Sequence, residues 1–268
     1  MRHWVAVAAM ALTAGLPCLA VPYSVSVEPV ADAHVRSEVP DINYGQAGGL
    51  SVSGSLAHNG LGEQRGTADS FMRFDMAALA ATMDAQFGAG AWEVTSATLW
   101  LNEQARPNNS IYNRGQGNFE IQWIAADNWV EGPGEVKTPF APADPLTEGI
   151  TFSVKDTYLN AAMDEALGVF ANAGPASPDD FIDIPCALAL MNGFVADIEA
   201  GADVSLYFTR ADESIGLQFG GKDNKTPLSR PYMVVVADVA ESDVVPEPAT
   251  ASLLALGLVA CVRRRRRR

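Results

Sequence analysis

Two runs of carboxylates are the first residues equipped for chemistry. Asp179, Asp180 and Asp183 fall within five positions, and Asp127, Glu131 and Glu135 recur every four. Either set offers hard oxygen ligands, of which Ca²⁺ takes about six to eight. A structural calcium ion is thus the one cofactor the chain has ligands for, with Asp179, Asp180 and Asp183 as the candidates. Neither run has EF-hand spacing, and surface acids are commonly just solvated. An Asp/Glu pair could also cleave a glycosidic bond if its carboxyl groups stood roughly 5–10 Å apart in space. Other catalytic constellations are missing. The histidines are His3, His34 and His58, with no Gly-x-Ser-x-Gly and no His-Glu-x-x-His, so neither a serine-hydrolase elbow nor a zincin is supported. The segment from Gly216 to Lys222 copies Gly-x4-Gly-Lys of a phosphate-binding loop. Asp223 replaces its Mg²⁺-binding hydroxyl, and Pro227 stands where its helix must run, so no cradle of amide donors is expected there. No catalytic residue is assigned, and the chain reads as a non-enzyme.

Aromatic side chains are the other resource. Trp92, Trp100, Trp123, Trp129, Tyr44, Tyr112 and Tyr207 present flat apolar faces on which sugar rings can stack, although a core uses such residues equally well. Trp123 and Trp129 are expected in the core. Trp100 alternates with Leu99 and Leu101, which places it on the opposite face of its strand. Trp100, Tyr44 and Tyr112 are therefore the candidate ligand-binding residues.

Charge limits the partners. The chain of 268 residues has a formal net charge of −14, yet six of its 18 basic residues are the final run, 263–268. Residues 21–246 hold 11 Lys plus Arg against 31 Asp plus Glu, a balance of −20. A body this acidic lacks the clustered cations that a nucleic-acid backbone selects, and it would repel an anionic polymer.

The two ends explain the asymmetry. Arg2 and the apolar run after it, closing on Pro17-Cys18-Leu19-Ala20, have the form of a secretory signal peptide over residues 1–20. At the other end Pro246-Glu247-Pro248 precedes the apolar run 249–262 and the six arginines. Fourteen apolar or small residues fall short of the about 20 that a robust span needs. They suffice for a transient segment in the inner membrane, oriented by a cytoplasmic positive cluster. This arrangement over 241–268 resembles the PEP-CTERM sorting signal. The resemblance implies an exosortase-type membrane transpeptidase as partner, processing near Pro246, Glu247 and Pro248, and delivery to the cell surface or extracellular matrix of a Gram-negative bacterium. Of Cys18, Cys186 and Cys261, only Cys186 would remain after both cuts, expected as a small buried residue without a disulfide.

Between the ends, short runs with period two alternate with turn residues, and around ten strands with little helix predict an all-β fold. The architecture expected is an antiparallel, jelly-roll-like β-sandwich over residues 21–240 with a few short connecting helices. Residues 94–101 form the clearest strand, with Thr95, Ala97, Leu99 and Leu101 on the core face. Residues 34–36 and 150–154 are among the other strands, and 76–87, 158–170 and 187–198 carry helical spacing. Arg73 beside Asp75 is expected to bury an ion pair or cap carbonyls, as is Arg230. Several segments, in order, resemble the DNRLRE family: Ala31-Asp32-Ala33-His34-Val35, Asn43-Tyr44-Gly45, Phe71-Met72-Arg73-Phe74-Asp75, the 94–101 strand, Trp129-Val130-Glu131-Gly132, Gly216-Leu217-Gln218-Phe219 and Arg230-Pro231-Tyr232. That family is a β-sandwich group associated with disaggregatase-related proteins and alginate-type carbohydrate-binding modules. The resemblance implies a polysaccharide ligand. The Thr-Trp pair that the family shows after its Trp-x-Glu segment is absent, and the acidic body argues against alginate itself.

Overall fold

The computed structural model describes residues 21–58, 62–64, 66–103, 115–141, 144, 147–173 and 182–240. Within them the chain is all-β and every strand pair is antiparallel. One layer is the sheet β1 (Tyr23–Val27), β11 (Tyr232–Val239), β5 (Trp92–Glu103) and β8 (Ile182–Leu188), in that order. The second runs β2 (Ala31–Arg36), β4 (Ala68–Asp75), β9 (Asp203–Arg210), β6 (Gly117–Ile124) and β7 (Glu165–Asn172). The antiparallel pair β3 (Gly49–Ser53) and β10 (Gly216–Gly220) joins them. Its ladder pairings with the two layers are Phe219 with Glu103 of β5 and Ser53 with Ala68 of β4, and the Ser70 hydroxyl of β4 bonds both the N–H and the carbonyl of Ser51.

Alternation decides what lies between the layers. Leu99 and Leu101, Met233 and Val235, Leu217 and Phe219, Met72 and Phe74, and Leu206 and Phe208 all belong to one buried cluster. Cys186 sits in that cluster, fully buried and free, and its burial raises the thiol pKa to about 12. One expectation fails on β5. Ser96 pairs with Val236 but Val94 with Ala237, so Thr95 is the extra residue of a β-bulge, which resets the alternation. Val94 takes the core position, and Thr95 is exposed with its hydroxyl donating to the Val236 carbonyl at 3.2 Å.

Two helices close one end. Helix α1 (Ala77–Phe87) follows Asp75, whose carboxylate accepts the Ala77 N–H at 2.9 Å. Helix α2 (Asn192–Ala200) is capped by Glu165 of β7, which accepts the Gly193 and Phe194 N–H groups at 2.9 and 3.0 Å. It ends at Gly201, left-handed at φ 66°, the conformation for which glycine has no Cβ penalty. Each helix is hitched to a strand by an indole: Trp92 donates to Asp84, and Trp123 to Asp197.

Two predicted elements are replaced. Residues 158–170 do not form a helix: a 3₁₀ turn, Lys155–Tyr158, precedes strand β7, which pairs along β6. The Ala-, Met- and Glu-rich composition suits a helix, but pairing satisfies the backbone of β6 and places Leu167 in the core. Residues 150–154 are not a strand. They belong to a covering segment, described over residues 125–141 and 147–159, that lies over the outer face of the second sheet and makes a second core. Trp129, Ile150 and Tyr158 pack there on Ala31, Ala33, Val35, Phe71 and Tyr207. The predicted 187–198 helix begins only at Asn192, because 187 and 188 still belong to β8.

Asn43 stitches this covering segment down. Its Nδ2 donates to the Glu131 and Ile150 carbonyls at 2.7 and 2.8 Å, and its Oδ1 accepts from Gly134 and Gly45 at 2.9 and 3.2 Å. An Asn43→Ala variant leaves buried backbone groups unpaired and is expected to lose roughly 3 kcal/mol, read as a lower denaturant midpoint at unchanged m. An Asn43→Ala midpoint equal to wild type would show that the stitch is dispensable.

Candidate functional site

The outer face of the first sheet carries one aromatic platform. Trp100 of β5 and Tyr232 of β11 are cross-strand partners, and their rings stack 6.2 Å apart at 10°. Tyr232 is 38% exposed and Trp100 half-buried. On the far side Trp100 is opposite Pro185 of β8, an edge strand where a residue lacking an N–H is tolerated. Asn102 and Asp183 are the next cross-strand pair with side chains outward, joined by a 2.8 Å hydrogen bond. An apolar strip flanked by an amide and a carboxylate results, built where alternation on β5 predicts an outward Trp.

The remaining predicted residues separate. Tyr44 is a correction: it is 7% exposed, and its ring stacks on His34 at 4.7 Å and 8°, so neither neighbour nor burial leaves it a free face for a sugar. Tyr112, Asp179, Asp180, Pro246, Glu247 and Pro248 lie outside the described residues, as does the run 249–262. Asp183 is exposed, with its carboxylate bonded to Asn102. Trp92, Trp123 and Trp129 are buried, as expected for the latter two. Among the described residues no helix is long and apolar enough to cross a membrane.

A second cluster forms from residues that spacing does not connect. Asp32, Glu131 and Asp223 bring carboxylate oxygens within 4.8 Å of one another. Lys222 lies among them, its Nζ 3.0 Å from Glu131 and 2.8 Å from Asp223, while its backbone N–H donates to Asp32. Glu131 in turn accepts the Asp32 N–H at 3.0 Å. Burial pushes the Asp32 carboxyl up to about 7, against the opposing hydrogen bond from Lys222; burial also raises Glu131. Burial works against the Lys222 ammonium, but its bonds to Asp223 and Glu131 outweigh that and raise its pKa. The trio thus holds an ammonium supplied by the chain itself. Asp127 and Glu135, grouped with Glu131 by spacing, are elsewhere: Asp127 accepts from Ser205, and Glu135 lines a neighbouring cleft. The sequence signal for these partners is weak: the Ala31, Ala33 and Val35 alternation assigns Asp32 to a solvent face, whereas Asp32 pairs with Met72 on the interior face of the sheet, and Asp223 follows a Gly-Gly-Lys turn.

Both isolated arginines are structural. Arg73 donates Nη1 to the Asp127 and Trp129 carbonyls and pairs with Asp203 at 3.6 Å instead of Asp75. Arg230 donates to the Asn224 carbonyl at 3.0 Å.

Residues 244–268 match the PEP-CTERM protein-sorting motif. This motif marks an exported, surface-directed protein handled by an exosortase-type membrane enzyme. The match does not extend into the β body. No curated protein matches the chain.

Proposed function

We propose that the chain is a non-catalytic component of the surface or extracellular matrix of a Gram-negative bacterium that binds polysaccharide through its β-sandwich. The observation that carries this reading is the stacked, part-exposed Trp100–Tyr232 pair on the outer face of the first sheet. Stacked aromatic faces take up the apolar face of a sugar ring, and the exposed Asp183 carboxylate, steadied by the Asn102 amide, can accept from its hydroxyls. The DNRLRE-like order of segments agrees with a ligand of this class.

The rival reading, a polysaccharide-cleaving enzyme with an Asp/Glu pair, gains little. Asp32 and Glu131 are the closest carboxylates with raised pKa values, but Asp32 is 1% exposed and already accepts the Lys222 N–H. Their oxygens lie within 4.8 Å, short of the about 5–10 Å that glycosidase pairs keep.

Affinity electrophoresis of wild type, Trp100→Ala and Tyr232→Ala through gels containing neutral or acidic polysaccharides tests the proposal. Retardation by at least one neutral polymer is expected, with about tenfold weaker binding in Trp100→Ala, the equivalent of about 1.4 kcal/mol of lost stacking. Equal mobility of all three proteins in every gel would overturn it.

A further inference from the structure

A cleft of about 740 Å³ opens beside the carboxylate cluster, between the β3–β10 pair and the loops carrying Gln46, Lys137 and Lys225. That volume is in the range of small-molecule sites. His34 lines it and is only 1% exposed. Neither of its ring nitrogens has a hydrogen-bond partner; the Gly49 backbone lies beside the ring without completing that geometry. Leaving a buried polar group in this state costs about 1–3 kcal/mol, and folded proteins retain few such groups. The cleft is also balanced in charge, with Lys137 and Lys225 facing Glu135 and Asp223, although residues 21–246 carry −20 overall. Gln46 and Gln218 add side-chain amides, each with donors and an acceptor.

We propose that this cleft binds a neutral polyhydroxylated small molecule, a single sugar unit or polyol, whose hydroxyls pair with the His34 ring nitrogens and with the Gln46 and Gln218 amides. A neutral imidazole has one donor nitrogen and one acceptor nitrogen, and a hydroxyl can serve either. A carboxylate or phosphate accepts only, and an ammonium donates only, so each would leave one side of the ring unsatisfied. The ring is closed to bulk water, and seating a ligand on it displaces a neighbour. The adjoining Gly48 turn lines the same cleft and is the neighbour that would have to shift; its carbonyl is held by the Asn224 amide at 2.9 Å and the Gly221 N–H at 3.2 Å. The site is separate from the aromatic platform and does not depend on it.

The test labels the full-length chain with ¹⁵N-histidine, which gives three imidazoles, in a detergent without a sugar headgroup. Glucose, mannose, myo-inositol and glucuronate are titrated in turn. The His34 signals, identified by their loss in His34→Phe, are expected to shift saturably with at least one neutral probe and less with glucuronate. Gln218→Ala should weaken that binding by about tenfold, the loss of roughly one hydrogen bond, and it keeps the proposal testable if His34→Phe fails to fold. Trp100→Ala should leave the shift unchanged, which separates failure of the cleft from failure of the platform. Unmoved His34 signals with all three neutral probes, an equal response to glucuronate, or an undiminished response in Gln218→Ala would each overturn the proposal.

Discussion

Replacing Trp129 with alanine is expected to cost about 3–5 kcal/mol, the range for removing a large aromatic from a close-packed interior. The residue is 1% exposed and anchors the covering segment. Its ring packs on Phe71 at 5.8 Å and lies under the Arg73 guanidinium at 5.0 Å. Its indole N–H donates to Ser205 at 3.0 Å, and its carbonyl accepts from Arg73. Alanine keeps only the carbonyl contact. The loss would consume a large share of a typical total stability of about 5–15 kcal/mol. The covering segment also has an anchor away from Trp129, the Lys155–Asp69 pair at 3.3 Å, buried beside Tyr207. The expected result is therefore a lower denaturant midpoint together with faster proteolysis within 125–159. Trp129→Phe, which retains most of the apolar contact and loses the Ser205 bond, should fall in between. An alanine variant within 1 kcal/mol of wild type would show that the segment is held from elsewhere.

How much of this could be read from the chain follows from the range of each signal. Alternation is local, so the strands came out well, and the outward direction of Trp100 with them. The Thr95 bulge did not, because an inserted residue is defined only against β11 across the sheet. The β7 error has the same origin. Residues 158–170 have helix-forming composition, and only the partner strand β6 tells the chain to extend. The covering segment is harder still, since its apolar residues Trp129, Ile150 and Tyr158 match neither period and are buried by covering a sheet face that pattern reading assigns to solvent. The alternation of β4 hints at it: Phe71 faces away from Met72 and Phe74, and a buried phenylalanine on each face means that both faces are covered.

The candidate sites divide along the same line. The platform needs one strand's alternation, which gives Trp100, while Tyr232, Pro185 and Asn102 join it only through the strand pairings of β5. The Asp32–Glu131–Asp223 cluster draws on residues 99 and 92 apart in sequence, and four-residue spacing wrongly groups Glu131 with Asp127 and Glu135. Tyr44 was misjudged for a related reason: its position in an Asn-Tyr-Gly turn suggests exposure, but Asn43 pulls that turn beneath the covering segment.

Asp32→Asn is expected to make the protein more stable at pH 8 and no more stable than wild type at pH 4. Burial holds the Asp32 carboxyl near 7, against an ordinary value of 3.8. Its folded state therefore keeps a proton that the unfolded chain gives up. Stability from this group is fully present below about pH 4 and is lost as pH rises through 7. Three pH units at 1.36 kcal/mol each set an upper bound of about 4 kcal/mol. Asparagine mimics the protonated acid and keeps an oxygen for the Lys222 N–H, so the variant should avoid most of that loss. His34, two residues along the same face of β2, has the opposite sign. Burial, reinforced by Arg36, lowers it from 6.5 to about 3, so its contribution is present above pH 6.5 and is lost as pH falls toward 3. Between pH 4 and 6.5 the two groups each exchange one proton in opposite directions, and their slopes cancel. In Asp32→Asn the cancellation is gone, and stability should fall on acidification by about 1.4 kcal/mol per pH unit more steeply than in wild type. Urea denaturation of both proteins at pH 4, 5.5, 7 and 8 measures the difference directly. Curves that stay parallel across the series would mean that Asp32 is ionised in the folded protein throughout, with the Lys222 ammonium compensating it.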